Sequence, residues 1–199
     1  MLRGRISGSP GAASRSDSSA ADEVVLLGRV AAGDRLAFET LYRGYFPRLT
    51  RFLERLMRRP QVVEEVLNDA MLVVWRKAAS FSGQSKVSTW IFAIAYRKAL
   101  KAMTRFDDPV ESDDELSESP LPGPEGRLMQ RRLAESLWES IGSMSAEHRA
   151  VIELTYYHGY AYREIAQIMG CPVDTVKTRM FHARRRLRLM LSDWKEDLR

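Results

Sequence analysis

Cysteine is almost missing from this sequence. Its single representative, Cys171, excludes a disulfide framework and any multi-cysteine zinc site. Histidine is nearly as scarce. His148, His158 and His182 have no mutual spacing that fits a metal site, and no acidic cluster accompanies them. Long apolar runs are also lacking: Ala70–Trp75 ends after six residues, where a membrane span needs about 20. No basic, apolar, small-residue leader opens the chain, so no secretory signal is expected and the reading is a soluble cytoplasmic protein. A glycine-rich phosphate loop and a nucleophile motif are both absent, so no catalytic site, metal or cofactor is expected.

What is present is apolar and charged in proportions that support a folded core. Hydrophobic residues make up 45% and charged residues 29% of the 199, a length for one large domain or two small ones. The net charge of +5 is mild, and alone it points only weakly to nucleic acid. Its distribution is more telling. Residues 107–126 hold eight acids, no Lys or Arg and four of the eight prolines. Proline blocks helix there and like charges repel, so the segment reads as an extended acidic linker. Outside it the chain carries +5 + 8 = +13, two basic parts tied by an acidic strap. Residues 1–20, with twelve Ser, Gly or Ala, read as a disordered tail.

Both basic parts, 21–106 and 127–199, read as helical, because apolar residues recur at three- and four-residue spacing between turn signals. Asp22 can cap a first helix that Gly33 ends, and Asp34 a second running through Tyr45. Pro47 suits the first turn of a third. Further helices are expected over 61–79, 87–105, 127–141, 146–158, 162–169 and 174–191, with a loop at 81–86. Nothing alternates at period two long enough for a strand. The fold class is all-α, in two small helical domains.

Three segments carry chemistry. In YREIAQIMGCPVDTVKTRMFHARRRL (162–187), a short amphipathic helix, a Gly-Cys-Pro turn and a second helix make a helix-turn-helix. Val176, Met180, Ala183 and Leu187 form the buried face of the second helix. Thr175, Lys177, Thr178, Arg179 and His182 face outward, followed by Arg184 and Arg185, with six Lys or Arg and no acid over 175–191. Such a helix fits the major groove of duplex DNA; the bland reading is a solvated basic helix closing a bundle. The 61–79 helix buries Val63, Val66, Leu67, Ala70 and Val74 and turns Glu64, Glu65, Asn68, Asp69 and Leu72 outward. An acidic stripe with an apolar Leu reads as a docking face for a basic protein helix, or simply as a solvated face. No His or nucleophile accompanies these carboxylates, which argues against acid–base catalysis. In FSGQSKVSTWIFAIAYRKALKAMTR (81–105), Arg97, Lys101 and Arg105 align beside Lys98, near Phe81, Phe92 and Tyr96. Aromatic rings beside cations suit single-stranded bases, although most of these rings could equally be core.

These segments, in this order and spacing, resemble the extracytoplasmic-function sigma factors, the minimal group of the sigma-70 family. AFETLYRGYFPRLTRFLERL (37–56), VEEVLNDAMLVVWRKAASF (63–81) and VSTWIFAIAYRKAL (87–100) are similar to its region 2, and residues 144–187 to its region 4. The resemblance implies a subunit that binds core RNA polymerase and directs it to promoters. Glu64, Glu65, Asn68 and Asp69 would dock on the clamp coiled coil of the β′ subunit, with the β subunit as a further contact. The loop residues Phe81, Ser82, Gln84 and Lys86, with Arg97, Lys98 and Lys101, would hold the −10 promoter element as single strand. The 174–182 helix would read the −35 element as duplex, and the strap would thread the polymerase's RNA path. An anti-sigma factor is implied as a partner. Two positions depart from the common pattern: Arg97 replaces a frequent Asn and Lys101 a frequent acid or polar residue, which bears on −10 preference. Asn68-Asp69 stands where Gln-Glu is frequent, a conservative change. Two alternatives stay open beside this reading: a sigma-like decoy that binds only an anti-sigma factor, and an ordinary helix-turn-helix regulator with 22–105 as a sensor or dimerisation domain.

Overall fold

Residues 11–106 and 141–196 are described by a computed structural model, with side chains placed over 21–105 and 141–189. Every regular element among them is helical: α1 (Gly11–Ala31), α2 (Arg35–Met57), α3 (Pro60–Lys77), a 3₁₀ turn (Ala78–Ser80), α4 (Val87–Phe106), α5 (Ala146–Ile152), a π-helical turn (Glu153–Tyr157), α6 (Tyr162–Met169) and α7 (Val173–Glu196). The expected strap, the 127–141 helix short of its last residue, and the first half of the expected tail lie outside the described residues.

The turn chemistry falls where the sequence places it. Gly33, at φ +87, takes a left-handed conformation that ends α1 without a Cβ penalty. Asp34 then caps α2, its carboxylate accepting from the backbone N–H of Leu36 (3.0 Å) and Ala37 (3.1 Å). The Ala37 hydrogen bond and the Arg29 guanidinium hold that carboxyl below its usual range. Pro60 opens α3 at a position where its missing N–H is not needed.

Two boundaries differ from expectation. The first helix starts at Gly11, ahead of Asp22, so residues 11–20 are helical where a disordered tail is expected. Ala12, Ala13, Ala20 and Ala21 carry little helix penalty and extend it N-terminally. Pro47 does not open a new helix but sits inside α2. An interior proline removes one hydrogen bond and clashes with the preceding turn, at about 3 kcal/mol. Here Leu41 and Tyr45 before it, and Leu49, Phe52, Leu53 and Leu56 after it, are all buried on one stripe. That continuous burial outweighs the proline and keeps one helix.

α2, α3 and α4 pack around Phe52, Leu67, Met71 and Phe92, with α1 laid across α2. α5 and α6 pack on α7, with a smaller cluster of Ile141, Met144, Ile152 and Ala183 at one end. The two halves are not separate in space. α6 lies along α4, α5 reaches α2, and one core runs from Leu49 and Phe52 through Phe92 to Tyr160, Ile165 and Val176. His158 sits at the junction, its ring 4.8 Å from that of Phe92 and 5.9 Å from that of Phe52. Burial, with Arg48, Arg51 and Arg55 nearby, pushes its pKa down from 6.5 to about 4.

The sign of that shift fixes a pH dependence. Below pH 6.5 the unfolded chain gains a proton on His158 that the folded chain refuses until about pH 4. Stability therefore falls as pH drops through this window. Urea denaturation from pH 7 to 4 is expected to show a steeper loss for the native chain than for His158→Phe, which keeps the ring contacts. Parallel losses would remove His158 as the cause.

Candidate nucleic-acid interface

The helix-turn-helix is formed by α6, the Gly170-Cys171 turn and α7. Gly170 is left-handed at φ +64 and closes α6, its N–H bonding the Ala166 carbonyl. At the other end of α6, Glu164 Oε2 accepts from the Ala161 N–H at 2.8 Å and so fixes the helix start. Along α7, Val176, Met180 and Ala183 are buried and Leu187 half-buried, the face read from the sequence. Lys177, Thr178, His182, Arg184 and Arg185 are exposed, while Thr175 and Arg179 are half-buried. Lys177 pairs with Asp174 in the first turn (2.9 Å), and Arg179 Nη1 lies 3.7 Å from Cys171 Sγ. Arg184 donates to the Tyr156 hydroxyl at 2.9 Å and lies over that ring. This contact joins the π-helical turn to the basic face and has no counterpart in the sequence pattern, because the two residues are 28 apart. Phe181, exposed beside His182, was likewise not among the candidate contacts.

On α3 the expected stripe is outside: Glu64, Glu65, Asn68, Asp69 and Leu72 are all exposed. Two of them have partners within the chain. Asn68 Oδ1 accepts from the Tyr42 hydroxyl at 2.7 Å, and Asp69 pairs with Lys98 at 2.9 Å. Tyr42 belongs to an aromatic row, Phe38–Tyr42–Phe46, that runs along α2 beside this face, with Trp75 against Phe38. The acidic face thus has an aromatic border that sequence spacing within one helix could not reveal.

On the third face, Ser82, Gln84, Lys86, Arg97 and Lys101 are exposed, and Phe81 and Lys98 are half-buried. Phe81 stacks near Trp90 at 5.5 Å. Phe92 and Tyr96 are core residues, with Tyr96 only 2% exposed. Neither ring is free to stack on a base, so the aromatic share of this face reduces to Phe81 and its neighbour Trp90. Lys86 is not bare, since its Nζ lies 2.9 Å from Glu164 Oε1 of α6. No group of three or more His, Cys, Asp or Glu among the described residues could hold a metal ion, and none of their helices is long and apolar enough to cross a membrane.

A three-helix core with an acidic face and a basic strip, followed by a helix-turn-helix, has close counterparts. Residues 41–107 match the family model for Sigma-70 region 2, and residues 134–187 that for Sigma-70, region 4. The chain belongs to the sigma-70 family. Within it, the chain is 32% identical over 171 residues to the ECF RNA polymerase sigma-E factor of Escherichia coli K12, covering 80% of this chain and 89% of that one. It is 28% identical over 170 residues to the protein of the same name from Haemophilus influenzae, with 80% and 89% covered. Among solved structures, CnrH in complex with the cytosolic domain of CnrY is similar in fold (TM-score 0.63, 23% identity, 86% of this chain and 97% of that one). So is the sigma factor RpoE bound to the anti-sigma factor NepR from Bartonella quintana (TM-score 0.63, 22% identity, 78% and 96%).

Proposed function

We propose that the chain works as an alternative sigma factor that binds core RNA polymerase, directs it to specific promoters and helps melt the −10 region. The observation that carries this is the charge layout on one helical frame. An acidic face on α3 and basic faces on α4 and α7 are exposed on separate helices. An ordinary regulator needs the basic helix alone; the extra pair of faces fits a subunit that joins a protein partner to DNA. Division of labour follows the two halves, 21–106 and 127–199. Glu64, Glu65, Asn68, Asp69 and Leu72 dock on a basic helix of the polymerase. The 81–86 loop with Arg97, Lys98 and Lys101 neutralises the displaced strand while Phe81 offers a stacking face. Thr175, Lys177, Thr178, Arg179 and His182 meet the −35 duplex, with Arg184 and Arg185 on its phosphates. The chain then acts beside core polymerase in the cytoplasm, and no step calls for bond chemistry by its own side chains. An anti-sigma partner is supported by the solved relative bound to one.

Transcription in vitro with core polymerase and genomic fragments tests this directly. Defined start sites that need this chain and share an upstream two-part motif are the expected result; no such starts would overturn it. Asp69→Lys is expected to weaken binding to core polymerase by about tenfold through like-charge contact, with Lys98→Ala as the control for the lost internal pair. Arg179→Glu is expected to lower promoter-specific transcription by about ten- to a hundredfold and leave polymerase affinity unchanged. A loss of polymerase affinity in that variant would refute the division of labour.

A further inference from the structure

The basic face of α7 is not built by α7 alone. Arg184 is exposed there, and its Nε donates to the Tyr156 hydroxyl at 2.9 Å, with Cζ 5.7 Å from the centre of that ring. Bonding through Nε leaves both Nη groups without a partner among the described residues. Other cations of the candidate nucleic-acid faces are held differently. Lys86, Lys98 and Lys177 each pair with a carboxylate, which offsets their charge. Arg184 is held by a neutral hydroxyl and keeps its charge whole. It also lies in register with the rest of the face. Lys177, Phe181, Arg184 and Arg188 are exposed at spacings of four, three and four residues, one stripe of the helix. Arg184 thus stands about 10 Å beyond Lys177 along the axis. When the N-terminal side chains of such a helix enter a major groove, that distance reaches the groove edge, where phosphates run.

Tyr156 owes its place to a break in helix geometry. It follows Arg149 by seven residues and Ile152 by four, both buried, so an unbroken α-helix would carry it into the same interior face. Instead the chain passes through the π-helical turn Glu153–Tyr157, in which the His158 N–H bonds the Glu153 carbonyl five residues back. Tyr156 is 57% exposed as a result. Such turns occur frequently at functional sites. Here the extra residue turns a phenol toward Arg184, while its neighbour Tyr157 lies under the Arg55 guanidinium at 4.0 Å.

We propose that Tyr156 is a positioning residue for duplex DNA: its hydroxyl holds the Arg184 guanidinium in place, so that both Nη groups meet a phosphate beside the groove that α7 enters. The proposal rests on the assignment of α7 to duplex DNA. A long side chain that is already fixed loses less freedom on binding. A phosphate contact sets register and orientation without reading a base. Tyr156 therefore adds affinity at every sequence, acts through Arg184, and carries no sequence preference of its own.

Fluorescence anisotropy of a short labelled mixed-sequence duplex, titrated with the full-length chain over a series of salt concentrations, tests this. Arg184→Ala is expected to weaken binding about tenfold and to lower the log–log salt slope by about 1, the mark of one lost phosphate contact. Tyr156→Phe keeps the ring and removes the hydroxyl. It is expected to weaken binding about threefold, with salt slope and thermal unfolding unchanged, and to have no further effect once Arg184 is alanine. Lys177→Glu, in the first turn of α7, reports whether that helix touches the duplex. If Lys177→Glu weakens binding and Tyr156→Phe does not, the role of Tyr156 is overturned and α7 stays on DNA. A threefold loss that persists beside Arg184→Ala also overturns it, because Tyr156 would then act by another route. If Lys177→Glu binds as the native chain does, α7 does not meet the duplex and both readings fall. Polymerase takes no part in the titration. Failed transcription beside an intact Tyr156–Arg184 coupling would thus leave the positioning role standing.

Discussion

A guanidinium placed on the end of a helix governs how this chain is put together. Arg149 carries its charge into the protein interior, where desolvation works against the charged form and Arg58 adds like-charge repulsion. What keeps it there is the cluster of carbonyls it serves, from Leu56 on one side and from Gly142 and Met144 on the other. Leaving a buried carbonyl without its donor costs about 1–3 kcal/mol, because no water replaces the lost partner. α2 therefore has a defined neighbour at its C-terminus, beside the apolar core that the two halves share. Glu153, buried and raised in pKa by that burial, adds a second fixed point through Arg55.

The same arrangement explains how three charged faces coexist on so small a frame. α3 and α4 pack side by side, and the Asp69–Lys98 pair crosses the seam between the acidic and the basic one. Such an exposed pair contributes little to stability, about 0–1 kcal/mol. Its interest lies in position. One carboxylate of the acidic face and one cation of the basic face are tied together across the two helices.

Local chemistry was legible in the sequence wherever a residue acts on its own neighbours. Asp34, Gly33, Pro60 and Gly170 mark their helix ends, and the buried stripes of α3 and α7 follow from spacing alone. Pro47 misled because its penalty is local whereas its compensation is not: Leu41 and Phe52 are buried by other helices. Residues 11–20 misled because a Ser, Gly and Ala composition reads as unable to fold, although alanine also favours helix. Phe92 and Tyr96 could be read either as stacking platforms or as core. For Phe92 what decides is Phe52 of α2 together with His158 and Tyr160, more than sixty residues later in the chain. Tyr42 on Asn68, Arg184 on Tyr156 and Arg149 on Leu56 join residues 26, 28 and 93 positions apart, and no periodicity within one helix encodes such pairs.

The distance along the chain between Arg55 and Glu153, 98 residues, bears on how the molecule reaches its final form. Helices form from contacts a few residues apart, which is why helical bundles fold fast. Joining the two halves is a different kind of event. With each half formed, docking closes only the chain between them, residues 107–140, at about 3 kcal/mol in chain entropy before any contact is gained. Assembly thus divides into rapid formation of each half and a later docking step, paced by a diffusive search of one half for the other.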